Sequence, residues 1–257
     1  MKKIPAKITL LIVIIGLIYS CDSVKRVPDN KQLLTKVEIT VDGKSKIQED
    51  LTGFVYQKPN SRLLKVPFGL YIYNWARPNP DSVFRAKYIE DTIRFKRMSA
   101  IYSEKQVYRL GESFYMKGFH ELLKSTGEKP VIIDSSRTKR SEFKLKSYFF
   151  NNGYFDVEVK SLTDTVDVKK GKIKYIINLN SPYILDSIKT AISSPDLDSL
   201  YQVTKNQSLI KTGQQYNSKT IEEERNRLTT YFRNNGAYNF QQNYITFDVD
   251  TINTGKK

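Results

Sequence analysis

Side-chain catalysis near neutral pH relies heavily on histidine and cysteine, and this 257-residue chain holds one of each, Cys21 and His120. A Cys-based zinc site or a multi-histidine metal site needs several such ligands, and an intrachain disulfide needs two cysteines. His120 sits in "KGFHELLK", which reads as an ordinary helix. The acidic pairs Asp164/Asp167 and Asp196/Asp198 read as turn and helix-start residues rather than as an acid–base couple. No G-x-S-x-G, H-E-x-x-H, Walker or Rossmann glycine pattern occurs. The expectation is a chain that is not an enzyme, with no cofactor and no metal.

Charge is the strongest bulk signal. A net charge of +15 and a pI near 9.6 favour an anionic partner, either nucleic acid or an acidic membrane surface. The N-terminus bears on that choice. Lys2, Lys3 and Lys7 precede the apolar run from Ile8 to Ile18. That run spans roughly half of a hydrocarbon core as a helix, too short to cross it, and reads as a secretory signal peptide. It ends in "LIYSC", where Ser20 before Cys21 resembles a lipoprotein lipobox. This resemblance implies cleavage after residue 20, acylation of Cys21, and anchoring by several acyl chains where one would be marginal. Residues 1–21 are then signal peptide and lipobox, and 22–32 a short polar tether. Export removes nucleic acid as an expected partner and leaves anionic lipid or an acidic protein face.

The elements that position these residues follow from hydropathy patterning. A content of 39% hydrophobic and 12% aromatic residues marks a folded chain, long enough for one large domain or two small ones. "LLTKVEITVDGK" alternates Val37, Ile39 and Val41 against Glu38 and Thr40, a half-buried strand ended by the Asp42-Gly43 turn. Ile47, Leu51, Phe54 and Val55 then recur at helical spacing, with Ser45 as N-cap, Gln48 three residues on and Pro59 as the stop. Between residues 60 and 130 the pattern changes. "LLKVPFGLYIYNWARPNPD" reads as an ordered aromatic loop, and the stretch from Asp81 to Gly127 as helical. There Phe84, Tyr88, Phe95, Met98 and Tyr102 fall near one face, with Arg85, Lys87, Arg94, Lys96 and Arg97 elsewhere.

Beyond residue 130 a unit is written twice. Ser135 or Ser136 can cap a helix that turns Leu145, Tyr148 and Phe149 inward, and Gly153 stands where a left-handed exit favours glycine. "YFDVEVKSL" alternates as a strand, "DVKKG" turns the chain, and "KIKYIINLN" returns it. The pattern restarts after Pro182 with the strand-like "SPYILDSIKTAI", a short helix and a second long helix. Tyr-Phe-x-Asn-Asn-Gly recurs at an offset of 83, matching Ser135 to Ser218, Leu145 to Leu228 and Gly153 to Gly236. Glu222, Glu223 and Glu224 read as first-turn residues favoured by the helix dipole. "YITFDVDTINTGKK" alternates Ile245, Phe247 and Val249 as a further strand, with no counterpart of "KIKYIINLN" after it. The expected fold class is α+β: tandem β-α-α-β-β units, the second lacking its last strand, with a helical and aromatic insert in the first.

The amphipathic helix, the aromatic pair before Asn-Gly and "GYFDVEV" entering a hairpin resemble the polypeptide-transport-associated (POTRA) domain of the outer-membrane β-barrel assembly superfamily, which includes BamA and TamA. "RLLKVPFGLYIYNWA", "GEKPVIID" and "NNGYFDVEV" behind a lipobox resemble its lipidated TamA-like branch, the TamL-type proteins. The resemblance implies a first POTRA-like domain at 33–181, with the insert at about 60–130, and an incomplete second at 182–257. It also implies that this chain is the N-terminal part of a longer barrel protein or an interrupted gene product. The implied role is a periplasm-side module of a translocation and assembly machine, tied by lipid to the outer membrane. Its implied partners are β-barrel clients or assembly subunits and a TamB-like protein. Such modules bind by β-augmentation, in which a free sheet edge accepts an extended strand. The expected edge is the second strand of each unit: Phe155, Asp156, Val157, Glu158 and Val159 in the first, and Tyr244 to Asp250 in the second. The alternative is a surface or periplasmic lipoprotein that binds glycan or another extracellular ligand through Tyr71, Tyr73 and Trp75. Co-purification of barrel subunits would separate the two. On the anchor reading, Cys21→Ala should block lipoprotein processing and leave the protein unanchored. Radiolabelled fatty acid still attached to that variant would overturn the reading.

Overall fold

Strict alternation of buried and part-exposed side chains builds the central strand of the sheet. In β4 (Lys170–Asn178), Ile173, Tyr175 and Ile177 are fully buried and the residues between them are not. The strand is flanked by β1 (Leu33–Val41), whose Ile39 and Val41 are buried, and by β3 (Glu158–Asp167). A two-residue strand, β2 (Lys44–Ser45), pairs antiparallel with the end of β1, Thr40 with Ser45 and Val41 with Lys44, giving the order β2-β1-β4-β3. This computed structural model describes residues 22–45 and 49–251, so Cys21, Ile47 and Gln48 lie outside the described residues. The protein is α+β. Among the described residues no helix is long and apolar enough to cross a membrane.

The chain divides into two compact units. The first holds the described residues up to Glu38, Gln57–Thr138 and Leu162–Lys174. The expected aromatic loop is instead helical at α2 (Phe68–Trp75). The expected long helical stretch is a series of short ones: α3 (Pro80–Tyr88), α4 (Thr92–Ser99), α5 (Glu104–Gly111), a π-helical turn (Phe114–Gly118) and α6 (Phe119–Thr126). Local side chains make the breaks. The Asp91 carboxylate accepts the N–H groups of Ile93 and Arg94, and Ser103 forms a reciprocal capping box with Gln106. Each cap starts a new helix, so the one-face pattern expected from Phe84 to Tyr102 is split, with Phe84 buried and Tyr102 exposed.

The tether expected at 22–32 is docked on α2. Val27 is buried in a cluster with Leu33 and Leu70, and Val24 packs against it. Asn74 Nδ2 donates to the carbonyls of Asp22 (3.0 Å) and Ser23 (3.3 Å), and Arg26 donates to the Ala76 carbonyl. Lys169, at φ +55 in the β3–β4 turn, pairs with Asp29 at 2.6 Å. The sequence shows the polarity of this segment, but its anchoring depends on α2, which folds far along the chain.

The second unit holds Ile39–Tyr56, Lys139–Ser161 and the described residues from Tyr175 on. Its helices are α1 (Glu49–Thr52), most of α7 (Ser135–Asn151), α8 (Pro195–Thr204) and α9 (Ser218–Asn234). Ser45, the expected cap of α1, lies in β2. The repeat is carried through the hydrogen bonds. Asp134 caps α7 by accepting from Ser136 and Arg137, and Asn217 caps α9 by accepting from Lys219 and Thr220, so each cap lies one residue before the expected serine. The Asn152 amide donates to the Tyr148 carbonyl (2.7 Å), and the Asn235 amide to that of Tyr231 (2.8 Å). Leu145, Phe149 and Val157 are buried, as are their counterparts Leu228, Phe232 and Phe240.

After Val157 and Phe240 the copies diverge. Where β3 follows in the first copy, a single 3-10 turn (Gln242–Tyr244) follows in the second, and residues 245–251 form no strand. The strand expected at Tyr244–Asp250 fails because the described residues offer it no neighbouring strand. Arg225 takes its place, donating Nε to the Ile245 carbonyl at 3.1 Å with its guanidinium 5.4 Å from the Phe247 ring. The strand expected after Pro182 shrinks to an isolated Ile184–Gln215 bridge.

Glu222, Glu223 and Glu224 lie in the second turn of α9 rather than the first, and Glu224 is only 2% exposed. It pairs through both carboxylate oxygens with Arg227, at 2.8 Å each, and accepts the Leu209 N–H at 3.0 Å. Its counterpart, Ser141, likewise accepts a backbone N–H, that of Tyr56, at 3.0 Å. Burial pushes the Glu224 carboxyl up, but the bonds from Arg227, Leu209 and Ser208 outweigh it and hold the carboxyl below the ordinary range. The resulting stability is present above the ordinary glutamate pKa and is lost as pH falls through the lowered folded value. Glu224→Gln should cost about 3 kcal/mol at pH 7, because Arg227 loses its partner. Urea denaturation should show the gap from wild type narrowing as the pH is lowered through 4. A gap that does not change with pH would show that the carboxylate charge is irrelevant there.

Candidate functional site

A sheet edge can bind another strand only if its outward N–H and C=O groups are unspent. One side of this sheet is occupied. At the start of β1, Leu34 donates to the Val131 carbonyl (2.8 Å) and Ile133 donates to that of Gln32 (2.9 Å), while β2 pairs with the end of β1. At the other side β3 ends the strand order, and among the described residues no strand lies beyond it. β3 is ten residues long, and Leu162 and Val166 on it are 51% and 57% exposed. Its charges are matched locally: Glu158 with Lys160 (3.0 Å), Asp164 with Lys172 (3.5 Å) and Asp167 with Lys170 (3.1 Å). The Val168 N–H, then Lys170, hold the Asp167 carboxyl below the ordinary range. Glu142 on α7 accepts the Ser161 N–H at 2.7 Å and pins the beginning of the strand. Sequence reasoning missed both Glu142 and the covering segment Val131–Ile133. The apolar "VII" before the Asp134 cap was the one signal for the latter.

Of the five expected edge residues, Glu158 and Val159 lie in β3, and Phe155, Asp156 and Val157 precede it. The chain leaves α7 through Gly153 at φ +89 and spends the next residues in a turn closed by the Val157 N–H on the Tyr154 carbonyl (3.2 Å). Those three side chains are committed elsewhere. The Phe155 ring lies 4.7 Å from Phe150 and 4.9 Å from both Tyr183 and Tyr216. Asp156 accepts from the Tyr183 hydroxyl at 3.0 Å, a bond that, with burial and the Asp156 charge behind it, raises the tyrosine pKa. Val157 is buried.

The first glycine exit is also a docking point. The Gly153 carbonyl accepts the Tyr183 N–H at 2.8 Å, and the Asn152 side chain accepts from Asn217 at 3.0 Å. An open cleft of about 510 Å³ lies alongside, lined among others by Phe54, Tyr148, Asn152, Asn217 and Lys219. His120 serves as a fastener: its Nδ1 accepts the Arg77 N–H at 3.4 Å, and burial, then the charges of Arg77 and Lys124, lower its pKa. Among the described residues no three His, Cys, Asp or Glu side chains are grouped as a metal site would require. Asp196 and Asp198 lie in the first turn of α8, where the helix dipole favours them.

No protein-family model matches the chain, and no curated protein matches it. Among solved structures it is similar to the crystal structure of Haemophilus influenzae BamA POTRA3-5, at 14% identity over 82% of this chain and 89% of that one, with a TM-score of 0.26.

The two glycine exits have unequal surroundings. A Cβ on Gly153 would lie 2.6 Å from the Tyr216 carbonyl oxygen, whereas one on Gly236, at φ +106, would meet nothing within 4 Å. Gly236→Ala should therefore cost about 1 kcal/mol, the backbone term alone. Gly153→Ala should cost about 2 kcal/mol or more, since the docked Tyr216 segment must also move. Chemical denaturation of the two variants side by side would check this. Equal losses would mean that the contact at Gly153 contributes nothing.

Proposed function

We propose that this chain is a POTRA-type protein-interaction module, tethered to the outer membrane through an acylated Cys21, that receives extended segments of partner or client proteins along β3. The observation that carries the reading is the asymmetry of the sheet. Both ends of β1 are covered, by residues 131–133 and by β2, while β3, held at Ser161 by Glu142, has exposed Leu162 and Val166 beyond that point and, among the described residues, no strand beside it. Soluble proteins usually blunt such an edge by shortening it, bulging it or covering it. Binding through main-chain groups tolerates many sequences, which suits a module that handles several β-barrel clients, assembly subunits or a TamB-like partner. The order β1, α1, α7, β3, β4, with the last strand at the centre of the sheet, supports the resemblance to a β-α-α-β-β unit. The insert from α2 to α6 lies between its two helices.

A synthetic peptide carrying an alternating strand of an outer-membrane barrel would test the proposal. Its addition should slow amide exchange across Glu158–Asp167 and leave the central β4 amides, already paired, unchanged. Lys substituted at both Leu162 and Val166 should weaken peptide binding by about tenfold, the effect of two lost apolar cross-strand contacts. Binding that leaves β3 exchange unaltered would place the peptide elsewhere and end the strand-edge reading.

A further inference from the structure

We infer that the insert formed by α2 to α6 is a membrane-docking surface for anionic lipid headgroups. Two features of the first unit carry the inference. The first is where the chain from residues 1–21 enters the fold. Asn74 on α2 holds the carbonyls of Asp22 and Ser23, so the residue after Cys21 is fixed one position from Trp75 rather than at the end of a loose linker. Whatever attaches residues 1–21 to a membrane, the apolar run at 8–18 or an acylated Cys21, therefore delivers the bilayer to α2.

The second feature is what the insert exposes. Arg77, Val83, Lys87, Tyr115 and Met116 line one cleft, with Tyr115 84% exposed. The Phe114 ring joins Tyr115 at 6.0 Å and Phe119 at 6.3 Å. Trp75 is 53% exposed on α2. Between Phe68 and Thr126 there are ten Lys or Arg against six Asp or Glu, and among the described residues Arg94–Asp91 is the one ion pair in that stretch. Exposed aromatic groups interleaved with uncompensated cations suit an interface where rings enter the headgroup layer and cations meet phosphates. An acidic protein would also attract the cations, but the entry of residues 1–21 beside Trp75 on α2 favours lipid. The inference rests on membrane attachment of the N-terminus and is independent of the strand-edge reading.

Trp75 is the single tryptophan of the chain, so its fluorescence reports this surface alone. The full chain would be mixed with phosphatidylcholine vesicles with and without phosphatidylglycerol and separated by flotation. With phosphatidylglycerol, Trp75 emission should shift to the blue, quenching by lipids brominated on the acyl chain should appear, and quenching by aqueous iodide should fall several-fold. Combining Tyr115→Ser with Lys87→Glu, both at exposed positions, should reverse these changes in protein that still floats through its N-terminus. Floated wild-type protein whose Trp75 stays as open to iodide as in solution would overturn the proposal while leaving the anchor intact. Failure to float, or equal shifts with purely zwitterionic vesicles, would overturn it as well. Strand-peptide binding should be unaffected by the double substitution, so the two readings fail separately.

Discussion

Much of the second unit depends on the backbone leaving α7 through Gly153. At φ +89 the chain reverses so tightly that Tyr216 occupies the space a side chain would need. Gly153 also offers its carbonyl to Tyr183, and its neighbour Asn152 holds Asn217, the cap of α9. One glycine therefore ends a helix, aims the chain towards β3 and seats the start of the next copy. Gly236 makes the same turn in open space. The identical hexapeptide pattern is thus a junction in one copy and only a turn in the other. The motif is shared, and the difference comes from the segment packed against it.

Hydrogen-bond accounting explains why β3 is the open edge. A sheet this small has two sides to satisfy, and buried N–H and C=O groups rarely go unpaired. Residues 131–133 and β2 satisfy the β1 side from within the chain. On the other side Glu142 reaches the strand at Ser161. Helix α9 uses a side chain in the corresponding place with opposite polarity: Glu142 accepts an N–H of its following segment, and Arg225 donates to a carbonyl of its own. Side chains hold both segments, but only the one with β4 beside it becomes a strand.

The excess positive charge is distributed in a way that gives it meaning. On β3 each carboxylate has a lysine nearby, from β3 itself or from β4, and on α9 Glu224 is locked to Arg227. In the insert the cations mostly lack such partners and stand among exposed rings. Paired charges on a sheet edge cost little on approach of another strand, whereas unpaired ones beside aromatics gain most from an anionic, partly apolar surface. Two different surfaces thus arise from one basic composition.

Local patterning was enough to identify β1, β4 and the two long helices. Alternation at Ile173, Tyr175 and Ile177, and the offset of 83 between the aromatic–Asn–Asn–Gly motifs, are written in consecutive residues. The α+β class followed from the same signals. Tertiary structure decided the rest, because it turned on partners far away in the chain. Ile245, Phe247 and Val249 alternate as a strand should, yet a strand needs a neighbour, and Arg225 took the carbonyl first. Phe155 to Val157 carry a strand pattern but are drawn off by Tyr183, Asn180 and Tyr216. The tether reads only as polar because nothing local marks Asn74 and Leu70 as its dock. A period of two or of 3.6 states which face a residue would present, and long-range hydrogen bonds determine whether anything is there to receive it.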